Sequence, residues 1–382
     1  MRIFIAVLLV VFTAVTGDAQ VRDRTAPASP PSDASTLAAG WSALAAGQHA
    51  AAARAAAQVL ARSPWNHAAA ALRIEALAQA DPIKGLDAYE AWLGKRRSED
   101  AALLEPVPRN VLLQFAVSGE SDLRQSARRM LRDAGITPPA SPNRDVSDQL
   151  ADAAARAKAG DPAAVKRLEA VVDAGTLDPA VVARALEAGG PATTPLLLAM
   201  LDKPGTPTRA AAAAALGRRK ADEARPALQK LMKDSDPMVR SSAAVALARM
   251  GDDEGQAYVE RMLQSEVPDF KLMAAEAWGG QPGPWMGAIA PLLENRDGTI
   301  RLEAARLLAP VSPEAARRVL NEAAADSNPV IRSEAARIIE ETTSLVPDLA
   351  DISQARRLLR EADPAIRLHA AGVLLAAARA GA

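Results

Sequence analysis

The sequence predicts an all-α protein, a right-handed solenoid of helix-turn-helix repeats. Two observations predict it. One phrase recurs through the C-terminal half, as DPMVRSSAAVALARMG (236–251), NPVIRSEAARII (328–339) and DPAIRLHAAGVLLAAA (363–378). The composition is also that of stacked helices. Of 382 residues 49% are apolar, 24% charged and only 3% aromatic, and alanine is abundant. Alanine has the highest helix propensity and lets helices approach closely. The alternating β-branched runs that mark sheets are absent.

The opening, MRIFIAVLLVVFTAVTGDAQ, sets Arg2 before an apolar run from Ile3 to Val15, with Gly17 and Ala19 ahead of Gln20. This is the layout of a secretory signal peptide over residues 1–19. The run is short against the roughly 20 residues of a spanning helix. The expectation is an exported chain, periplasmic or secreted from a bacterial envelope, with no transmembrane segment after cleavage. Residues 20–35 are rich in proline and small polar residues and read as a flexible linker. Net charge is −1, from 45 basic and 46 acidic residues. That balance supplies no reason to expect a nucleic-acid partner. The chain has no cysteine, which excludes disulfides, thiolate metal sites and cysteine nucleophiles.

Residues 36–135 read as paired helices. In GQHAAAARAAAQVLARSPWN (47–66), Gly47, Ala52, Val59, Leu60 and Pro64 fall at the spacing of a tetratricopeptide second helix, with Gly40 and Leu44 suiting the first. The segment resembles one such unit; a second, 34 residues on, is degenerate, with Asp81, Leu86 and Ser98 in place of Gly, Ala and Pro. PRNVLLQFAVSG and SDLRQSARRMLRDAG add another pair, and ITPPASPN places a joint at 136–144. Trp41, Trp65 and Trp92 are expected to pack among these helices.

From 145 to 382 the repeat governs. Arg209, Arg240, Lys271, Arg301, Arg332 and Arg367 recur at spacings of 31, 31, 30, 31 and 35 residues. A period in this range marks a solenoid or an array. Asp236, Asn328 and Asp363 suit helix N-caps, and the prolines after them suit the first helical position. Gly217 and Gly251 stand where left-handed C-terminal caps would fall. A return helix fits between successive phrases, over 224–234, 255–264, 287–295 and 313–324. Neither helix of a pair can bury its apolar face alone, so the pairs must stack. Helix axes pack about 8–10 Å apart, so seven repeats are expected to span roughly 60–70 Å.

The phrase D-P-x-V-R followed by A-A-x-x-L resembles the HEAT-like repeat family, including the short form found in phycobilisome lyases. The resemblance is strong from about residue 204 to 378, with weaker units over 146–190. It implies that the recurring basic residue bonds the capping acid and neighbouring carbonyls. Deoxyhypusine hydroxylase resembles the same repeat and holds two irons through His-Glu pairs. Here Glu303 and Glu334 stand at those positions, but Leu302 and Ser333 replace the histidines and His369 is offset by one. The resemblance therefore implies neither that activity nor any cofactor, and the two glutamates read as ordinary helix-surface carboxylates. His49, His67 and His369 show no metal-ligand spacing. The Asp252–Glu254 run reads as a solvated turn.

A non-catalytic scaffold binding a protein partner is the function this organisation supports. The rivals are an enzyme or enzyme subunit with a dispersed site, and a binder of an extended peptide or polymer. Trp278 and Trp285 flank GGQPGP, the most irregular loop of the array, and either cover a gap there or form a contact surface. The last phrase has no return helix after it, so Val373, Leu374 and Leu375 are candidates for an apolar edge fit for self-association.

Overall fold

The computed structural model describes residues 32–94, 99–139, 146–343, 346 and 351–380. The expected signal peptide, residues 20–31 of the linker and residues 140–144 of the joint lie outside them. Ser32 caps the first helix, so the end of the expected linker is already helical. The N-terminal helices are α1 (Asp33–Ala45), α2 (His49–Arg62), α3 (His67–Ala80), α4 (Pro82–Leu93), α5 (Ala101–Leu104), α6 (Pro106–Ser118) and α7 (Ser121–Asp133). Gly40 permits close packing of α1 on α2 and α3, since a Cβ there would lie 3.1 Å from Ala55 and 2.5 Å from Leu72.

The repeats follow as inner and return helices. The inner ones are α8 (Val146–Lys158), α10 (Pro179–Ala188), α12 (Thr206–Arg219), α14 (Pro237–Arg249), α16 (Pro268–Ala275), α18 (Gly298–Leu308), α20 (Pro329–Thr343) and α22 (Pro364–Ala380). The return helices are α9 (Pro162–Ala174), α11 (Thr194–Leu201), α13 (Arg225–Leu231), α15 (Asp253–Leu263), α17 (Trp285–Ile289), α19 (Pro313–Ala323) and α21 (Ile352–Leu358). Each inner helix packs on the inner helices before and after it. Because a return helix separates them, the inner helices run parallel.

The caps and the basic ladder serve the repeat. Asp236, Asn328 and Asp363 accept from the backbone N–H two residues on, at 2.8, 3.0 and 2.8 Å. A second acceptor sits two residues before the first two: Asp234 and Asp326 receive the N–H of Asp236 and Asn328. Arg240 donates to the carbonyls of Asp234 and Ser235 at 2.8 and 2.9 Å. Arg301, Arg332 and Arg367 repeat that geometry on their own preceding turns. The guanidinium thus satisfies carbonyls at the loose end of one helix and ties them to the start of the next.

Gly217 departs from its expected role. It lies inside α12, and a Cβ on it would fall 2.5 Å from Ala246 Cα in α14. The left-handed cap is Lys220, at φ 52°. Gly251 does cap α14 in that conformation, at φ 77°. The Asp252–Glu254 run is the start of α15, with Asp252 accepting from Gly255 N–H at 2.9 Å.

The array does not extend as an open rod. Helix α22 packs on α20 and α21 on one side and on α5, α6 and α7 on the other, while α7 meets α8. The repeats and the N-terminal helices therefore close into a ring, and one apolar core runs through them from Ala70 to Leu375. The seam is both apolar and charged. Arg360 pairs with Asp87 and Glu90 at 2.6 and 2.9 Å, and Arg356 pairs with Glu99 at 2.9 Å. Glu99 also accepts from the buried Tyr89 hydroxyl at 2.6 Å. Arg129 reaches Glu340 at 3.0 Å, with His369 Nδ1 3.5 Å from the same carboxylate. Burial pushes that carboxyl up, yet His369 and Arg129 together hold it below its ordinary range.

Candidate functional site

Ring closure turns one face of the inner helices toward a shared lumen. The register is simple. Residues two, five and nine positions beyond the ladder residue face inward, as Ser242, Val245 and Arg249 do in α14. This is one helical stripe. On α10, where Val182 replaces the ladder residue, the same offsets give Arg184 and Glu187. On α18 and α20 they give Glu303 with Arg306 and Glu334 with Arg337.

Arg184, Glu187, Arg218, Arg249, Glu276 and Arg306 line a cavity of about 850 Å³ that runs from α10 to Glu341 of α20. Its charges are linked across helices. Arg218 forms a fork on Glu187 with bonds of 2.6 to 3.1 Å. Arg249 donates to the carboxylate of Glu276 at 3.1 Å and to its carbonyl at 2.6 Å. Glu276 also binds Arg306, which reaches Glu303 at 2.6 Å. Arg337 holds Glu334 at 2.6 Å and Glu341 at 2.8 Å.

Burial pulls the Arg249 guanidinium below the ordinary arginine range; Glu276 opposes this, and the like charges of Arg218 and Arg306 reinforce it. Arg306 stands the other way. Burial lowers it, but Glu303 and Glu276 outweigh burial and hold it above that range. Both remain cationic at any working pH.

The sequence-predicted residues fall elsewhere. Trp285 is buried and its indole N–H donates to Gln281 O at 2.9 Å. Trp278 is half-buried under the loop, where a Cβ on Gly283 would lie 2.6 Å from its ring. Both tryptophans close the gap left by the short α16, so Trp285 offers no contact surface. Val373, Leu374 and Leu375 are also buried, because α5 to α7 occupy the place of the missing return helix. The apolar edge expected there is covered by the chain itself. Of the N-terminal tryptophans only Trp92 is buried; Trp65 and Trp41 are exposed. His67 pairs with Asp100 at 3.0 Å and His369 sits in the seam. Glu303 and Glu334 are partly exposed helix carboxylates, each paired with the arginine three residues on in its own helix.

Sequence reasoning passed over the lumen although a signal was present. Glu187, Arg218 and Arg249 are spaced by 31 and 31 residues, the period of the ladder itself. Among the described residues no group of three or more His, Asp or Glu side chains is placed to hold a metal ion. No described helix is long and apolar enough to cross a membrane.

The fold and this register define a helical-repeat protein built on stacked hairpins. Residues 193–279 match the family model described as HEAT repeats, and this part of the array is made of them. A search of curated proteins finds no match. Among solved structures, the chain is similar to the complex of CpcE and CpcF of phycocyanin lyase from Nostoc sp. PCC7120. The identity is 19% over 62% of this chain and 97% of that one, with a TM-score of 0.33. Human deoxyhypusine hydroxylase in complex with glycerol is 18% identical over 58% of this chain and 97% of its own, at a TM-score of 0.31. An engineered protein is 18% identical over 90% of this chain and 98% of its own, at 0.28. Likenesses of this size say nothing of what the chain binds or does.

Proposed function

We propose that the chain is an exported, non-catalytic scaffold that binds a protein partner along one rim of the ring. The observation that carries this reading is a row of exposed apolar side chains. Val181, Met238, Val267 and Val330 lie at the caps or in the first turns of α10, α14, α16 and α20, at 39, 43, 46 and 70% exposure. Single exposed apolar residues are ordinary. Here they recur at one end of parallel helices, so they share a rim. Thr299, Pro329, Val330 and Asp363 border a cavity of about 480 Å³ on the same rim, between α18 and α22. A ring closed on itself holds such a row rigidly, which lowers the ordering cost of association. Export is supported by the layout of residues 1–19. A second reading, an enzyme or enzyme subunit, draws on the charged lumen, whose groups come from several repeats.

The test expresses the full chain with a C-terminal tag in its own host, fractionates the cells, crosslinks gently and identifies what co-purifies. The expected result is an envelope protein at fixed stoichiometry. Its recovery should fall at least tenfold in the Met238→Asp/Val330→Asp variant while Tm stays unchanged. Undiminished recovery from that variant, or no stoichiometric partner from the wild-type chain, contradicts the reading.

A further inference from the structure

The lumen carries more positive charge than its own carboxylates neutralise. Five arginines and three glutamates line the cavity. Glu187 is committed to Arg218, and Glu276 is divided between Arg249 and Arg306. Glu341, Glu303 and Glu334 engage Arg337 and Arg306 at the α18–α20 wall. The excess therefore falls at the α10–α14 wall. Arg219 there donates to the Thr194 hydroxyl at 2.7 Å and the Thr193 hydroxyl at 3.3 Å; among the described residues no ion pair engages it, and Glu223 and Glu187 act on it only at longer range. Arg184 is exposed to the lumen, and among the described residues no ion pair engages it.

We infer that the lumen is a binding site for a small organic anion carrying two or more negative charges. Arg184 and Arg219, which no ion pair engages among the described residues, are its first contacts, with the paired Arg218 and Arg249 beside them. The cavity volume falls within the roughly 300–1,000 Å³ of small-molecule sites. Guanidinium forks match carboxylate and phosphate oxygens two at a time. Arg249 lies on the same wall, paired with Glu276 at 3.1 Å and with Arg218 and Arg306 as like-charged neighbours. The arginines of this wall come from three successive inner helices, α10, α12 and α14, so an anion with two or more charges can engage more than one of them. The site is independent of the rim and of any protein partner.

Calorimetric titration of the full chain at constant ionic strength tests this, with citrate, pyrophosphate and acetate as the anions. Saturable binding of citrate or pyrophosphate at one per chain is expected, with acetate not saturating. The tighter of the two identifies the ligand as a carboxylate or a phosphate. Arg184→Gln should weaken that binding about tenfold, the worth of one charge-assisted hydrogen bond. Arg184→Glu should abolish it. Neither should move Tm in the absence of anion, because the side chain is exposed. No saturable binding of either multivalent anion overturns the inference, as does equal affinity in the Arg184 variants and the wild-type chain.

Discussion

Leu374→Asp is expected to unfold the ring or leave it barely stable. Leu374 is fully buried in α22, the helix that packs both on the last repeats and on the N-terminal helices. Losing a buried leucine costs about 2–5 kcal/mol through transfer and cavity terms. An unpaired carboxylate in that space adds the cost of a buried, unsatisfied charge. The sum exceeds about 5 kcal/mol, a large share of the roughly 5–15 kcal/mol that holds a domain together. Leu374→Ala should cost about 3 kcal/mol. Urea unfolding followed by circular dichroism reads both. Two substitutions that both fell within about 0.5 kcal/mol of wild type would mean that Leu374 faces water, and would contradict the packing of α22.

Gly217→Leu should cost about 3 kcal/mol or more. Substituting a helix-interior glycine ordinarily gains about 1 kcal/mol of helix propensity. Here sterics win, because the new Cβ would sit 2.5 Å from Ala246 Cα and 2.6 Å from its Cβ. The nearest obstacle is backbone, so α12 and α14 must separate, and overpacking of this kind costs about 1–3 kcal/mol even where neighbours yield. Gly217→Ala meets the same first atom and should also destabilise. A Tm equal to or above wild type for Gly217→Ala would show that the two helices do not cross at this point.

The local rules of the repeat were legible because they act within one unit. Asp236, Pro237 and Arg240 lie within five residues of one another and do their work on the adjoining turn. The same locality misled at Gly217. A glycine near the end of a helix fits a cap and an interhelical crossing equally well, and only the neighbouring repeat decides. Ring closure was not legible at all. Arg360 meets Asp87 across 273 residues, and no periodicity encodes where a curved array ends its turn. The charged lumen lies between these cases. Its residues carry the repeat period, but a stripe of arginine and glutamate on an open array would be solvated surface. Curvature makes it a site.

Ring closure is the claim on which the lumen and the buried C-terminal helix both depend. The most direct measurement is the distance across the seam, by double electron–electron resonance on spin labels at Asp87→Cys and Arg360→Cys. The chain has no other cysteine to label. The side chains of Asp87 and Arg360 meet at 2.6 Å. A closed ring therefore predicts a single narrow distribution at the short limit of the method. A broad distribution at long distance, with the chain still fully helical, would mean that the array is open and would contradict the account.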